Sequence, residues 1–235
     1  MSDSLVIIPT YNEIENVERM IRAIMPLNVF HVLIVDDNSP DGTAAKVEKL
    51  SSEYPDRLFL ERRNGKFGLG TAYIHGFKWA LAKKYEYIFE MDCDFSHNPD
   101  DLIRLRKACV DGADVSIGSR YCRGGKVNNW PIKRILMSYF ASVYVRLILW
   151  IGIRDTTAGF KCYKRKVLEN IHLDSINFKG YAFQICMKYA ALKHGYNVVE
   201  VPITFVDRLY GQSKMSTGIF KEAFFGVWKM RKMKL

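Results

Sequence analysis

Residues 5–43 read LVIIPTYNEIENVERMIRAIMPLNVFHVLIVDDNSPDGT, and this stretch decides the fold. LVIIP (5–9) is a short continuous apolar run, the pattern of a parallel strand buried on both faces, and Thr10 and Asn12 follow as caps. Over 13–25 the apolar positions recur at helical spacing. A second apolar run, HVLIVDD (31–37), ends on Asp36 and Asp37, and the turn NSPDGT leads into a helix through Leu50. Strand, helix, strand, helix is the order of a parallel α/β sheet. Ligands of such sheets sit at the carboxyl ends of the strands. Asp36 and Asp37 therefore either cap the next helix or accept hydrogen bonds from a nucleobase or ribose.

The pattern continues outward. Residues 57–62 predict a third strand, and NGKFGLGTAYIHGFKWA (64–80) a glycine-rich approach to a helix, with Gly68 and Gly70 permitting a tight turn. Neither the GxxxxGK[ST] phosphate loop nor GxGxxG is present. YEYIFE (85–90) reads as a buried strand and runs into MDCDFSH (91–97). If extended geometry persists that far, alternation sets Asp92 and Asp94 on one face and Cys93 on the other. Two acids so placed repel unless a cation or a set of donors holds both ionised. Mg²⁺ or Mn²⁺ shared with a substrate diphosphate is the economical solution; a solvated acidic turn fits the same letters. Asn98, Pro99 and Asp100 start a helix, and DVSIGSRY (114–121) supplies another strand.

After residue 121 the character changes. GGKVNNWPIKR (124–134) is polar, basic and glycine-bearing and reads as a mobile loop. The strongly apolar 135–153 reads as a helix, either in the core or, given Lys133, Arg134 and Arg146, at a membrane interface. DTTAGFKCYKRKVLENI (155–171) predicts a turn and a helix, and 178–195 a helix ending at Gly195. NVVEVPITF (197–205) predicts a strand, and DRLYGQSKMS (207–216) a loop with Arg208 and Lys214 either side of a glycine. The last stretch, 219–235, mixes Phe220, Phe224, Phe225 and Trp228 with Lys229, Arg231, Lys232 and Lys234, suiting a membrane-surface helix or a helix packed on the sheet.

At 235 residues, 49% hydrophobic and 26% charged, the chain fits one domain. The change of character after residue 121 divides it into 1–121 and 122–235. The start carries an acid and no basic segment before a strand-length apolar run, so no signal peptide is expected, and a cytoplasmic location is. The 5 cysteines form no CxxC pair and are expected to be reduced. A net charge of +10 calls for an anionic partner: nucleic acid, a membrane surface or a phosphorylated substrate. No helix-turn-helix, zinc-finger or RNP pattern accompanies it, so nucleic acid is not expected. No apolar run reaches the roughly 20 residues of a membrane span.

Taken together, PTYNE (9–13), VDDNSPDGT (35–43), GLGTAY (68–73), MDCDFSH, GSRY (118–121), NWPIKRILMS (129–138) and DRLYGQSK (207–214) resemble the inverting family-2 glycosyltransferases of GT-A fold, and within them the dolichol-phosphate mannosyltransferases, over nearly the whole chain. The resemblance implies an α/β, Rossmann-like, mostly parallel sheet flanked by helices, with C-terminal amphipathic helices, in a single domain whose residues 1–121 would be the nucleotide-sugar-binding half and 122–235 the acceptor-loop and membrane-facing half. It implies mannose transfer from GDP-mannose to a polyprenyl or dolichyl phosphate; UDP-glucose as donor, or a soluble glycan as acceptor, are the alternatives. Pro9, Tyr11, Glu13 and Asp37 would line the nucleoside pocket, with Val35 and Cys93 also on the donor side. Asp92 and Asp94 would bind Mg²⁺ or Mn²⁺ with the diphosphate. Ser96 stands where some relatives carry Gln, so a water would bridge it to the metal. Arg120, Arg134, Ser138, Arg208 and Lys214 match positions that handle donor and lipid phosphates: Arg120, Arg134 and Ser138 on the acceptor side, Arg120, Arg208 and Lys214 on the donor side. The resemblance further implies a short form without hydrophobic C-terminal helices, peripheral at the cytoplasmic face of a membrane through its own surface or a separate membrane-embedded partner. A lipid phosphate is largely dianionic at neutral pH, so transfer needs charge neutralisation rather than a strong general base.

Overall fold

The computed structural model describes residues 2–208 and 217–233, the side chains of 217–221 excepted. The strands are β1 (Ser4–Thr10), β2 (His31–Asp36), β3 (Leu58–Arg62), β4 (Tyr87–Glu90), β5 (Val115–Ser119), β6 (Lys126–Asn128), β7 (Lys161–Lys164), β8 (Val198–Pro202) and β9 (Thr204–Val206). The helices are α1 (Val17–Ile24), α2 (Thr43–Ser51), α3 (Leu69–Ala82), α4 (Asp101–Val110), α5 (Ile132–Leu149), α6 (Arg165–Asn170), α7 (Tyr181–Lys193) and α8 (Thr217–Lys232). One seven-stranded sheet runs β3-β2-β1-β4-β7-β5-β8, and β6 with β9 makes a second, two-stranded sheet.

The continuous apolar run of β1 is used on both faces. Leu5 and Ile7 join Leu33 and Val35 in the core under α3 and α7, whereas Val6 and Ile8 join Val32 and Ile34 under α1, α2 and α4. Every one of these side chains is fully buried. That is the signature of a strand covered by helices on either side.

Five readings from sequence are corrected. The first helix starts at Val17 rather than residue 13, because Asn12 takes a left-handed conformation and the Glu13 carbonyl accepts from the N–H groups of Asn16 and Val17 to form a turn first. Strand β4 stops at Glu90, so alternation cannot be what aligns Asp92 with Asp94; the backbone bends over 93–97 instead. The loop at 124–134 contains β6, which pairs in parallel with β9. KCYK, expected within a turn and helix, is β7, an antiparallel strand inserted between β4 and β5. The strand at 197–205 is two, β8 in the large sheet and β9 in the small one, divided at the buried Ile203.

Helices α5 and α8 pack on each other, Tyr144 stacking on Phe224 and accepting a hydrogen bond from the Trp228 indole at 3.0 Å. Val145, Ile148, Leu149, Val227 and Met230 face the core. The outer face keeps large apolar groups in solvent, among them Phe140, Leu147, Trp150 and Phe225. Among the described residues no helix is long and apolar enough to cross a membrane.

Helix α3 lies close on β1 because position 76 has no side chain: a Cβ there would come within 2.6 Å of Ile7 Cγ2. Gly76→Ala is therefore expected to lower unfolding free energy by about 1–3 kcal/mol through overpacking, measured by denaturant titration. An unchanged midpoint would mean that the α3 contact yields freely.

Candidate active site

A cavity of about 360 Å³ opens at the carboxyl ends of β1, β2 and β4. Pro9 is the penultimate residue of β1, and Tyr11 and Glu13 follow the strand along one wall, with Asp37 directly after β2. The two neighbouring acids of β2 have separate tasks. Asp36 is a turn-builder: its carboxylate accepts from the Thr10 hydroxyl at 2.8 Å and from the Ser39 hydroxyl and N–H at 2.6 and 2.8 Å. Asp37 faces the cavity, 3.0 Å from Arg63 Nε and accepting from the Phe67 N–H at 3.2 Å. Burial raises the Asp37 pKa, against the opposing pull of Arg63. Lys66 lies over the Tyr11 ring at 4.2 Å. Val35 does not line the cavity: alternation along β2 sends its side chain into the core.

Asp92, Cys93, Asp94 and Ser96 line the floor. The Ser96 N–H donates to Asp94 Oδ1 at 3.1 Å, a local turn that holds the second acid, and its carbonyl accepts from Val206 N–H. Arg208 Nη2 meets Asp94 Oδ2 at 2.8 Å. The Tyr73 hydroxyl lies 3.4 Å from Asp92 Oδ1. Burial first, then the charge of Asp94, pushes the Asp92 carboxyl up to about 7. Two crowded carboxylates of this kind are a hard-oxygen donor set that a divalent cation relieves. Among the described residues no group of three or more His, Cys, Asp or Glu side chains could hold a metal by itself. The donor set thus fits an ion that takes its remaining ligands from substrate phosphate and water, as Mg²⁺ does.

Arg120, directly after β5, is buried against Asp155, Nε and Nη2 reaching its two oxygens at 2.7 and 2.6 Å; Nη2 also reaches Thr157 at 2.8 Å. The fork geometry is bidentate, and the charge of Arg120 holds Asp155 below the usual carboxylate range even though burial alone would raise it. Trp130 and Phe205 flank the guanidinium. Arg134 lies 4.0 Å over the Trp130 ring and pairs with Asp207 at 3.1 Å. Arg120, Arg134 and Arg208 all line the cavity; Ser138, one turn along α5 from Arg134, does not. Lys214 lies outside the described residues.

Sequence reasoning missed the layer beneath. Asp155 sits 35 residues from Arg120 with no motif to link them. Lys161 on β7 is fully buried, ion-paired to Glu90 at 3.1 Å and donating to Gln184 Oε1. The Tyr163 hydroxyl donates to Glu90 Oε1 at 2.9 Å, and Lys188 donates to the carbonyls of Thr156 and Ala158 at 2.8 and 2.7 Å. Only adjacency to Glu90 in a sheet register could have revealed Lys161, and β7 itself was not foreseen.

The family model for Glycosyl transferase family 2 matches residues 5–172. The chain belongs to that family. It is 48% identical over 97% of its length, and 87% of the other protein's, to polyprenol monophosphomannose synthase of Mycolicibacterium smegmatis. Its identity to undecaprenyl-phosphate mannosyltransferase of Micrococcus luteus is 46%, over 95% and 91% of the two chains. Among solved structures, glucosyl-3-phosphoglycerate synthase of Mycobacterium tuberculosis, with Mn²⁺ and UDP bound, superposes with a TM-score of 0.71 at 15% identity, covering 99% and 81% of the chains. A mannosyltransferase of Pyrobaculum calidifontis, in complex with GDP-Man and Mn²⁺, gives 0.58 at 18%, over 97% and 69%. The fold of this glycosyltransferase is GT-A, as its motifs led one to expect.

Asp155→Asn is expected to destabilise this glycosyltransferase at neutral pH by about 3–5 kcal/mol, because Arg120 is left buried without its counter-charge. The sign follows from the depressed pKa: the carboxylate contributes fully above its unfolded value of 3.8 and loses its contribution as pH falls through the lower folded value. Denaturant titrations should show wild type and variant converging below pH 3.8. A gap independent of pH would mean that the hydrogen-bond geometry, not the charge, is what Asp155 supplies.

Proposed function

We propose that this glycosyltransferase transfers mannose from GDP-mannose to a polyprenyl phosphate, with a divalent metal ion and inversion at the anomeric carbon, at the cytoplasmic face of a membrane. The observation that carries the reading is one cavity holding both Asp92 and Asp94 and three arginines, in a chain nearly half identical to relatives named for that lipid transfer.

Asp92 and Asp94 would hold Mg²⁺ or Mn²⁺, with Ser96 close by; when bound, the ion neutralises the leaving diphosphate. Tyr11, Glu13 and Asp37 bind the nucleoside. Arg208 steadies Asp94 and, with Lys214, meets the donor phosphates. Arg120 and Arg134 receive the acceptor phosphate, Ser138 standing one turn beyond Arg134. Such a dianion attacks the anomeric carbon from the side opposite the diphosphate without losing a proton to the protein, so positioned charge replaces a general base. The lipid tail leaves along α5, whose first turn carries Arg134 at the cavity and whose outer face is apolar. Phe140, Leu147 and Phe225 meet acyl chains, while Lys229, Arg231 and Lys232 near the end of α8 meet anionic head groups.

Incubation with Mn²⁺, GDP-mannose and a polyprenyl phosphate should give the mannosyl lipid, and UDP-glucose should give far less product. Asp94→Asn should cut turnover by roughly 10² or more, and EDTA should abolish it. Glucose transfer in place of mannose, or turnover indifferent to EDTA, would overturn the assignment.

In flotation with anionic liposomes, the combined variant Phe140→Ser, Leu147→Ser and Phe225→Ser should bind severalfold more weakly than wild type. It should keep its activity on a short, water-soluble polyprenyl phosphate. High salt should weaken wild-type binding in part. Equal flotation of the two proteins would remove this face from the docking surface.

A further inference from the structure

The Gln184 side chain is 2% exposed, sits in the first turn of α7 and lines the cavity. Its Oε1 accepts from Lys161 Nζ, and among the described residues its Nε2 has no hydrogen-bond partner. The orientation of the amide is fixed by chemistry, since an ammonium has only donors and must face the amide oxygen. The two N–H donors are therefore turned away from Lys161. A buried amide nitrogen left unpaired costs about 1–3 kcal/mol, so a partner is expected.

Gly159 shows where that partner sits. A Cβ on Gly159 would lie 3.6 Å from Gln184 Nε2 and 3.5 Å from Asp92 Oδ2, meeting nothing closer. The absent side chain keeps open a notch with an amide donor on one side and a carboxylate acceptor on the other. A phosphate oxygen accepts only, so it could meet the amide but offers no hydrogen to the carboxylate. A hydroxyl both accepts and donates, and fits the pair. The nucleoside wall, with Tyr11, Glu13 and Asp37, belongs to other strand ends, which leaves the hexose as the part of the donor that brings hydroxyls to this floor.

We propose that Gln184 donates a hydrogen bond to one hydroxyl of the donor hexose, in the notch formed with Asp92 and Gly159, and so discriminates among hexoses. The inference rests on the reading of the substrate as a nucleotide sugar. Lys161 holds the amide in the orientation that this requires, and Glu90 holds Lys161.

The test compares, by calorimetry in Mn²⁺, the dissociation constants of GDP and GDP-mannose for wild type, Gln184→Met and Gly159→Ala, with UDP and UDP-glucose alongside. The nucleotide should bind all three proteins alike. The gain in affinity conferred by the sugar should fall roughly tenfold to hundredfold in both variants. Gly159→Ala leaves the Lys161 contact untouched and fills the notch with only ordinary contacts, so it reports even if Gln184→Met folds poorly. Among monodeoxy GDP-mannoses, wild type and Gln184→Met should bind one equally, the one lacking the bound hydroxyl. An equal deficit with every deoxy donor, a loss of GDP affinity, or no deficit in Gly159→Ala would overturn the proposal. If UDP-glucose proves to be the donor, the mannose assignment fails, and the same ratio read with UDP and UDP-glucose still decides the role of Gln184.

Discussion

Three carboxylates, Glu90, Asp92 and Asp94, close the central strand of the sheet within five residues, and their mutual repulsion is the constraint that the rest of the molecule answers. The answer nearest the sheet is covalently cheap and topologically expensive. An antiparallel strand is inserted into an otherwise parallel sheet, and its register sets Lys161 opposite Glu90. Burial lowers the Lys161 pKa, opposed by the charge of Glu90. Such a pair stabilises little by itself, but losing one member strands a charge in the core. Further out, Arg208 covers Asp94 and Tyr73 reaches toward Asp92. Among the described residues the Asp92 carboxyl has no ion-pair partner, and it stands at the cavity, where substrate chemistry arrives.

This ordering explains which parts were legible in the sequence. Strands β1 and β2 announce themselves because both faces are buried, so their apolar runs are unbroken. The acidic strand ends, the arginines and the glycine-rich approach to α3 were legible as motifs, and GT-A followed. Strand β7 was not, because four residues with lysines at both ends look like surface, and Lys161 is buried only by virtue of Glu90 on another strand. Strands β6 and β9 are three residues each and gain their pairing from tertiary closure. Asp36 and Asp37 are identical letters side by side; only the position of Thr10 and Ser39 makes one a turn-builder and leaves the other facing the cavity. Asp92 and Asp94 do share a site, though on a bent segment beyond the strand rather than by strand alternation.

The arginines of the cavity are held by acids. Asp155 takes two nitrogens of Arg120, and Asp207 pairs with Arg134 while Trp130 supports its face. Each pairing cancels charge at long range, which weakens attraction for an incoming anion, and it fixes direction at short range, which lowers the reorganisation needed when charge shifts between two phosphates. Steering must then come from elsewhere, and the surplus of ten positive charges over the whole chain is the available source. Fixing the cations at the reaction and leaving long-range attraction to the net charge of the whole surface separates capture from chemistry. Among the described residues, the basic end of α8 and its exposed phenylalanines and tryptophan sit on the same helix, which lies against α5, and α5 begins at the cavity. For a substrate that is an anion at one end and a hydrocarbon at the other, that is the order in which the two ends would be met.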